Sequence, residues 1–261
     1  MNLCDDAKNL ENISYAKIGN GPKIMVILPG LALKSTIRSA EAIAANFSAF
    51  GEYTIYLFDD RDNLPKGYSL WKRADDVADL MQSLQLKDAY VYGASMGGMV
   101  GQSLAINHPE LVKKLFLAST SFMSDKDTKK IIGSWMDLAS QETLSKLIRT
   151  MNNDIYSKTT LEKFGEMLEQ SIGTVSDEDL QKFVILAKAI MAFDSSEELE
   201  KIKCPICVVG AEADKVFSIK QIRSLAEKTS AEALFYGLEY GHGVYDEAAD
   251  LRENMLEFFE E

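Results

Sequence analysis

The chain has 261 residues, 46% of them hydrophobic and 26% charged, enough apolar material for one large α/β domain or two small ones. A formal net charge of −12 repels phosphate backbones, which argues against a nucleic-acid partner, and the apolar runs reach only strand length, so no membrane span is expected. Met1-Asn2-Leu3-Cys4-Asp5-Asp6 lacks the basic and apolar regions of a signal peptide, and three cysteines do not suggest a disulfide framework, so a reducing cytoplasm is the expected compartment.

In chain order, Ile13–Ile18 and Lys23–Leu28 flank the turn signal Asn20-Gly21-Pro22 and read as a hairpin. A helix is predicted near residues 39–47 and a strand over 53–58. Residues 71–84 read as a helix with Trp71, Val77, Leu80, Met81 and Leu84 on one face. A β-branched and aromatic strand ends at Ser95, a helix follows over 97–107, and a further strand covers 115–118. This alternation predicts an α/β fold, a mostly parallel sheet with helices on both faces. From about residue 122 to 200 the rhythm changes. Leu144, Leu147, Ile148 and Met151, and again Leu180, Phe183, Val184 and Ala187, fall at the spacing of amphipathic helices. The prediction is an all-helical insertion of two to five helices, 122–200, acting as a lid between core segments 1–121 and 201–261. The α/β pattern resumes with a strand at 204–209, a helix at 219–228, a strand at 233–236 and a last helix over 246–259.

Gly93-Ala94-Ser95-Met96-Gly97 carries the chemistry. A strand, a sharp turn bearing serine and a helix make the context of a nucleophile elbow, where a Cβ at Gly93 or Gly97 would clash with nearby backbone. A serine hydroxyl needs a base, and histidine is the usual one near neutral pH. The chain has two histidines. His108 lies at the far end of the helix after Ser95, roughly 16 Å away at about 1.5 Å per residue, which removes it as the base. His242, in Tyr240-Gly241-His242-Gly243 after the last strand, is the expected base. Asp214 follows a late strand and gives the order Ser, Asp, His; Glu212 and Asp125 are the alternatives for the group that orients the imidazole. The developing oxyanion needs preorganised donors, for which the backbone N–H groups of Met96 and Leu31 are the candidates.

Gly93-Ala94-Ser95-Met96-Gly97-Gly98, Leu28-Pro29-Gly30, Gly210 to Asp214 and Gly241-His242-Gly243 together resemble the α/β-hydrolase superfamily with a helical cap, over nearly the whole chain. Asn107-His108-Pro109-Glu110-Leu111-Val112 is similar to that family's usual end of the helix after the elbow. The resemblance implies the machinery and leaves the substrate open. Two departures stand out: Pro29 replaces the histidine that usually precedes the oxyanion-loop glycine, and Asp59-Asp60-Arg61-Asp62-Asn63-Leu64 keeps the family's Asp and Arg without its glycines. That acidic cluster is expected to be structural or solvated, with no metal.

The expected function is cleavage of a small ester, thioester or lactone through an acyl-enzyme, with no cofactor, a small molecule as the only partner, and a monomer or homodimer. Trp135, Met136, Leu144 and Phe164 are candidates to line an apolar substrate pocket, with packing of the lid on the core as the equal alternative. A second reading cleaves a carbon–carbon bond in a diketo acid, with Arg38 or Arg61 receiving the carboxylate. A third is a ligand-binding protein that has lost catalysis. Cys204-Pro205-Ile206-Cys207 has redox or zinc spacing but opens an apolar run, and buried structural thiols are expected.

Overall fold

The computed structural model describes residues 8–10, 12–141 and 143–261. Its strands are β1 (Lys8–Leu10), β2 (Ile13–Ile18), β3 (Lys23–Leu28), β4 (Tyr53–Arg61), β5 (Ala89–Ala94), β6 (Val112–Ala118), β7 (Ile206–Ala211) and β8 (Glu232–Tyr236). They form one sheet in the order β1-β2-β4-β3-β5-β6-β7-β8. The β1–β2 and β2–β4 pairings are antiparallel and every later pairing is parallel.

The helices are α1 (Ala40–Asn46), α2 (Leu70–Ser83), α3 (Met96–Asn107), α4 (Lys126–Ser140), α5 (Leu144–Ile155), α6 (Lys158–Ser171), α7 (Asp177–Ala192), α8 (Ile219–Thr229), α9 (Val244–Glu247) and α10 (Leu251–Glu260). One face of the sheet buries Val77, Leu80 and Met81 of α2, Val100 and Leu104 of α3 and Leu225 of α8. The opposite face buries Ala44 of α1 and Phe258 and Phe259 of α10 against Tyr53, Tyr90 and Phe116. Edge-on ring contacts such as Tyr53–Tyr90, with centroids 5.3 Å apart, fill that second layer. Among the described residues no helix is long and apolar enough to cross a membrane.

Three sequence expectations need correction. The predicted hairpin of β2 and β3 does not form, because β4 lies between them, antiparallel to β2 and parallel to β3. Met25, Val26 and Leu28 of β3 are fully buried, and the strand is paired on both edges by β4 and β5, as a central parallel strand must be. The turn signal is real, but it lets the chain diverge: Lys23 N–H donates to Glu52 O at 3.0 Å, at the entrance to β4. Strand β4 runs on to Arg61, past the two aspartates where an apolar pattern ends, since Ile13 pairs opposite Arg61. The last predicted helix is two helices, broken at Ala248 in an extended conformation (φ −83°, ψ 116°). The break lets α9 stay beside the loop of His242 while α10 lies on the sheet.

Between β6 and β7 the described residues form four α-helices, α4 to α7. The chain leaves and re-enters the core side by side, with a bridge between Met123 and Asp194 and with Ser195 N–H donating to Phe122 O at 2.9 Å. Leu147 and Ile148 of α5 and Phe183 and Ile190 of α7 are buried in the same apolar cluster as α2 and α3. These helices therefore share their packing with the core.

Candidate active site

Ser95 stands between β5 and α3 with φ 53° and ψ −117°, a conformation that L-residues rarely adopt. The surroundings hold it there. Its N–H donates to Ala118 O at 2.9 Å, and its carbonyl accepts from Gly98 N at 3.0 Å and from Thr120 Oγ1 at 2.8 Å. A Cβ on Gly93 would lie 2.5 Å from Gly97 O, and one on Gly97 would lie 1.8 Å from Leu28 O. Both glycines are therefore demanded by backbone passing backbone.

His242 Nε2 lies 3.0 Å from Ser95 Oγ, and its Nδ1 lies 2.9 Å from Asp214 Oδ2. The other carboxylate oxygen, Asp214 Oδ1, accepts from Val216 N at 2.8 Å and Phe217 N at 2.9 Å. Asp214 is thus fixed by the turn that follows it and turns one oxygen to the imidazole. The histidine is only 2% exposed, between the rings of Phe217 and Tyr245. The alternatives are engaged elsewhere. Glu212 is paired with Arg223 at 2.7 Å, and Asp125 caps α4, accepting from Asp127 N and Thr128 N. His108 lies at the far end of α3 with its Nε2 3.1 Å from Asp75 Oδ1.

Met96 is the first residue of α3, where helix N–H groups are unpaired and the dipole is positive. The loop of Pro29, Gly30 and Leu31 lies against the same serine, since a Cβ on Gly30 would be 3.3 Å from Ser95 Cβ. The two predicted oxyanion donors thus belong to segments that flank Ser95.

A family model for the alpha/beta hydrolase fold matches residues 19–249. The chain belongs to the α/β-hydrolase family. It is similar to "Putative carbamate hydrolase RutD" of Caulobacter sp. (strain K31), 24% identical over 243 residues and covering 88% of each chain. It is also similar to "3-oxoadipate enol-lactonase 2" of Acinetobacter baylyi, 23% identical over 223 residues, 82% of this chain and 80% of the relative. Among solved structures it is similar to MGS-M2, an alpha/beta hydrolase enzyme from a Medee basin deep-sea metagenome library. The TM-score there is 0.84, at 21% identity, over 95% of this chain and 94% of that one.

In this α/β hydrolase a cavity of about 330 Å³ opens beside Leu31, between residues 32–39 and helices α5 and α6. Ile148, Met151 and Ile155 form its apolar wall, and Arg38 and Lys34 belong to the opposite wall. Thr36 Oγ1 and Asn152 Nδ2, on two further lining residues, are buried without a hydrogen-bond partner among the described residues. A larger cavity of about 830 Å³ lies between α2 and α7, against Trp71 and Phe193, and includes none of Ser95, Asp214 and His242. The smaller cavity is not lined by those three side chains either, but it reaches Leu31, on the loop that lies against Ser95, so nearness to the serine rather than size favours it.

The four predicted pocket residues lie elsewhere. Trp135 is 3% exposed and its Nε1 donates to Asp154 Oδ2 at 2.8 Å. Met136 and Leu144 pack on the apolar cluster, and Phe164 is exposed. None of the four lines either cavity. The residues that do line the smaller one, Ile148, Met151 and Ile155, come from the same α5 stripe as Leu144, one to three turns further on.

The acidic loop is tied into ion pairs. Asp60 meets the buried Arg73 at 2.5 Å, Asp76 takes Arg61 and Lys72, and Tyr68 donates to Asp76 at 2.6 Å. Burial, then the neighbouring charge of Asp60, raises the carboxyl pKa of Asp59 above the usual range. Of the paired cysteines, Cys207 is buried in β7 and Cys204 is half-buried, both as free thiols. Burial pushes the Cys207 thiol up to about 12 and that of Cys204 up to about 11. Only the thiolate is nucleophilic, so Cys207 is expected to stay unmodified by iodoacetamide at pH 8 in the native chain and to react after denaturation. Peptide mapping of the two samples checks this.

Proposed function

We propose that this α/β hydrolase is a serine hydrolase that cleaves a small ester, thioester or lactone through an acyl-enzyme. The observation that carries the reading is the line of hydrogen bonds from Ser95 Oγ to His242 Nε2 at 3.0 Å and from His242 Nδ1 to Asp214 Oδ2 at 2.9 Å. Ser95 attacks the carbonyl carbon as His242 takes its proton, and Asp214 balances the imidazolium that forms. The N–H groups of Leu31 and Met96 receive the oxyanion. His242 then protonates the leaving group, and afterwards takes a proton from the water that releases the acyl group. Carbamates and enol-lactones, named in two of the relatives, share a carbonyl flanked by a heteroatom, the bond type this scheme breaks.

A cavity of about 330 Å³ is near the lower end of the roughly 300–1,000 Å³ found for small-molecule sites, which favours a short acyl group. The test is intact mass after treatment with a fluorophosphonate. The wild-type chain is expected to gain one adduct and Ser95→Ala none. A folded wild-type chain that gains no adduct would overturn the reading and favour a binding protein.

A second reading, hydrolysis of a carbon–carbon bond in a diketo acid, draws on Arg38. Arg61 is paired with Asp76, whereas Arg38 lines the cavity and donates to Ile172 O at 3.4 Å. A guanidinium so placed suits a substrate carboxylate. Turnover of aryl esters against diketo acids separates the two.

A further inference from the structure

The loop that carries His242 has glycine on both sides of it, so neither neighbour of the histidine offers a side chain to hold it. Gly241 and Gly243 lie flat on residues 155–157, at the junction of α5 and α6. A Cβ on Gly241 would be 2.7 Å from Ile155 O, and one on Gly243 would be 2.7 Å from the Tyr156 ring. Three kinds of bond cross this contact, the first from Tyr156 OH to Asp246 Oδ2 at 3.2 Å. Gly243 N–H donates to Ile155 O at 2.7 Å. The Glu247 carboxylate accepts from Gly241 N at 2.8 Å with one oxygen and from Ser157 N at 2.7 Å with the other. The loop after Asp214 is tied to the same helix end, since Lys215 Nζ donates to Asn153 O at 2.7 Å.

We propose that Glu247 is a positioning residue for His242, acting by clamping the histidine loop to the α5–α6 junction. The proposal rests on the serine-hydrolase reading. Hydrogen bonds to a carboxylate are short and strong, and here one carboxylate spans two chain segments and holds a main-chain N–H of each. The end of α5 is in consequence part of the frame of the site.

The test compares wild type, Glu247→Ala and Glu247→Gln in two assays, the rate of fluorophosphonate labelling and steady-state hydrolysis of a short aryl ester. Glu247→Ala frees both N–H groups. It is expected to slow labelling and to lower kcat on the order of 10- to 100-fold, with KM within about twofold, since a base misplaced by about 1 Å costs rate rather than affinity. Glu247→Gln keeps one acceptor oxygen and should fall between. Ser157→Pro is a second route: Ser157 has φ −66° and Tyr156 before it is extended, so the backbone accepts proline, which removes one donor of the clamp together with the Ser157 Oγ cap of α6. It should lower kcat in the same way.

Wild-type rates of labelling and turnover in Glu247→Ala would overturn the proposal and leave the serine-hydrolase reading intact. Loss of kcat that appears only together with loss of the cooperative melt would assign Glu247 to stability and overturn it as well. A folded wild-type chain that is not labelled at all would remove both.

Discussion

His242→Ala is expected to lower kcat for the best ester substrate by a factor on the order of 10⁴ to 10⁶, with the fold unchanged. The alanine variant keeps the serine and both main-chain donors but has no acceptor for the Ser95 proton at neutral pH. Whatever rate remains comes from binding and from oxyanion stabilisation, and should be worth about 10³ over water. His108→Ala supplies the internal comparison. His108 shares a hydrogen bond with Asp75 at the far end of α3, so its loss should leave kcat within about twofold and cost well under 1 kcal/mol of stability. Only two histidines are present, so the pair of variants tests the whole choice of base. Near-normal turnover in His242→Ala would refute the mechanism, even if Ser95 still reacts with a phosphonate.

The parts of the site legible in the sequence are those with a local steric cause. The turn at Ser95 needs glycine two residues before and two after, because backbone lies within 3 Å of both positions, and such a demand writes itself into a short motif. Asp214 against Glu212 is decided by direction rather than spacing. Both lie just past β7, but the turn after Ala211 points Asp214 at the imidazole, and Glu212 stays at the surface with Arg223. Glu247 carries no signal of this kind. Its two partners come from Gly241 and Ser157, and the second is 90 residues away.

The same contrast runs through the fold. Strand and helix identity follows from periodicity, whereas the neighbour of each strand does not. A turn signal between β2 and β3 says where the chain bends and is silent about β4 entering between them. The cap shows the limit most clearly. An apolar stripe on an amphipathic helix looks the same whether it meets a substrate or the core. On α5 the stripe meets both the core and a cavity: Leu147, Ile148 and Met151 are buried in the core cluster, and Ile148, Met151 and Ile155 line the cavity beside Leu31.

Gly97→Ala is expected to be the most damaging single methyl group in the molecule, either abolishing folding or costing more than about 4 kcal/mol. The added Cβ would sit 1.8 Å from Leu28 O and 2.5 Å from Leu28 C. Neither atom is the flexible end of a side chain. Leu28 ends the central strand β3, in register with Gly93, and leads directly into Pro29, Gly30 and Leu31. Relief would require β3 and α3 to separate, which strips the packing of Met96, Met99 and Val100 and shifts the proposed oxyanion donors apart. Gly133→Ala is the control. Gly133 lies within α4, and a Cβ there meets nothing within 4 Å, so the change should gain about 0.5–1 kcal/mol from helix propensity. Urea midpoints of the two variants should therefore move in opposite directions from wild type. A Gly97→Ala chain that melts within about 1 kcal/mol of wild type would mean that the serine turn does not press on the end of β3, and the placement of Leu31 beside Ser95 would fall with it.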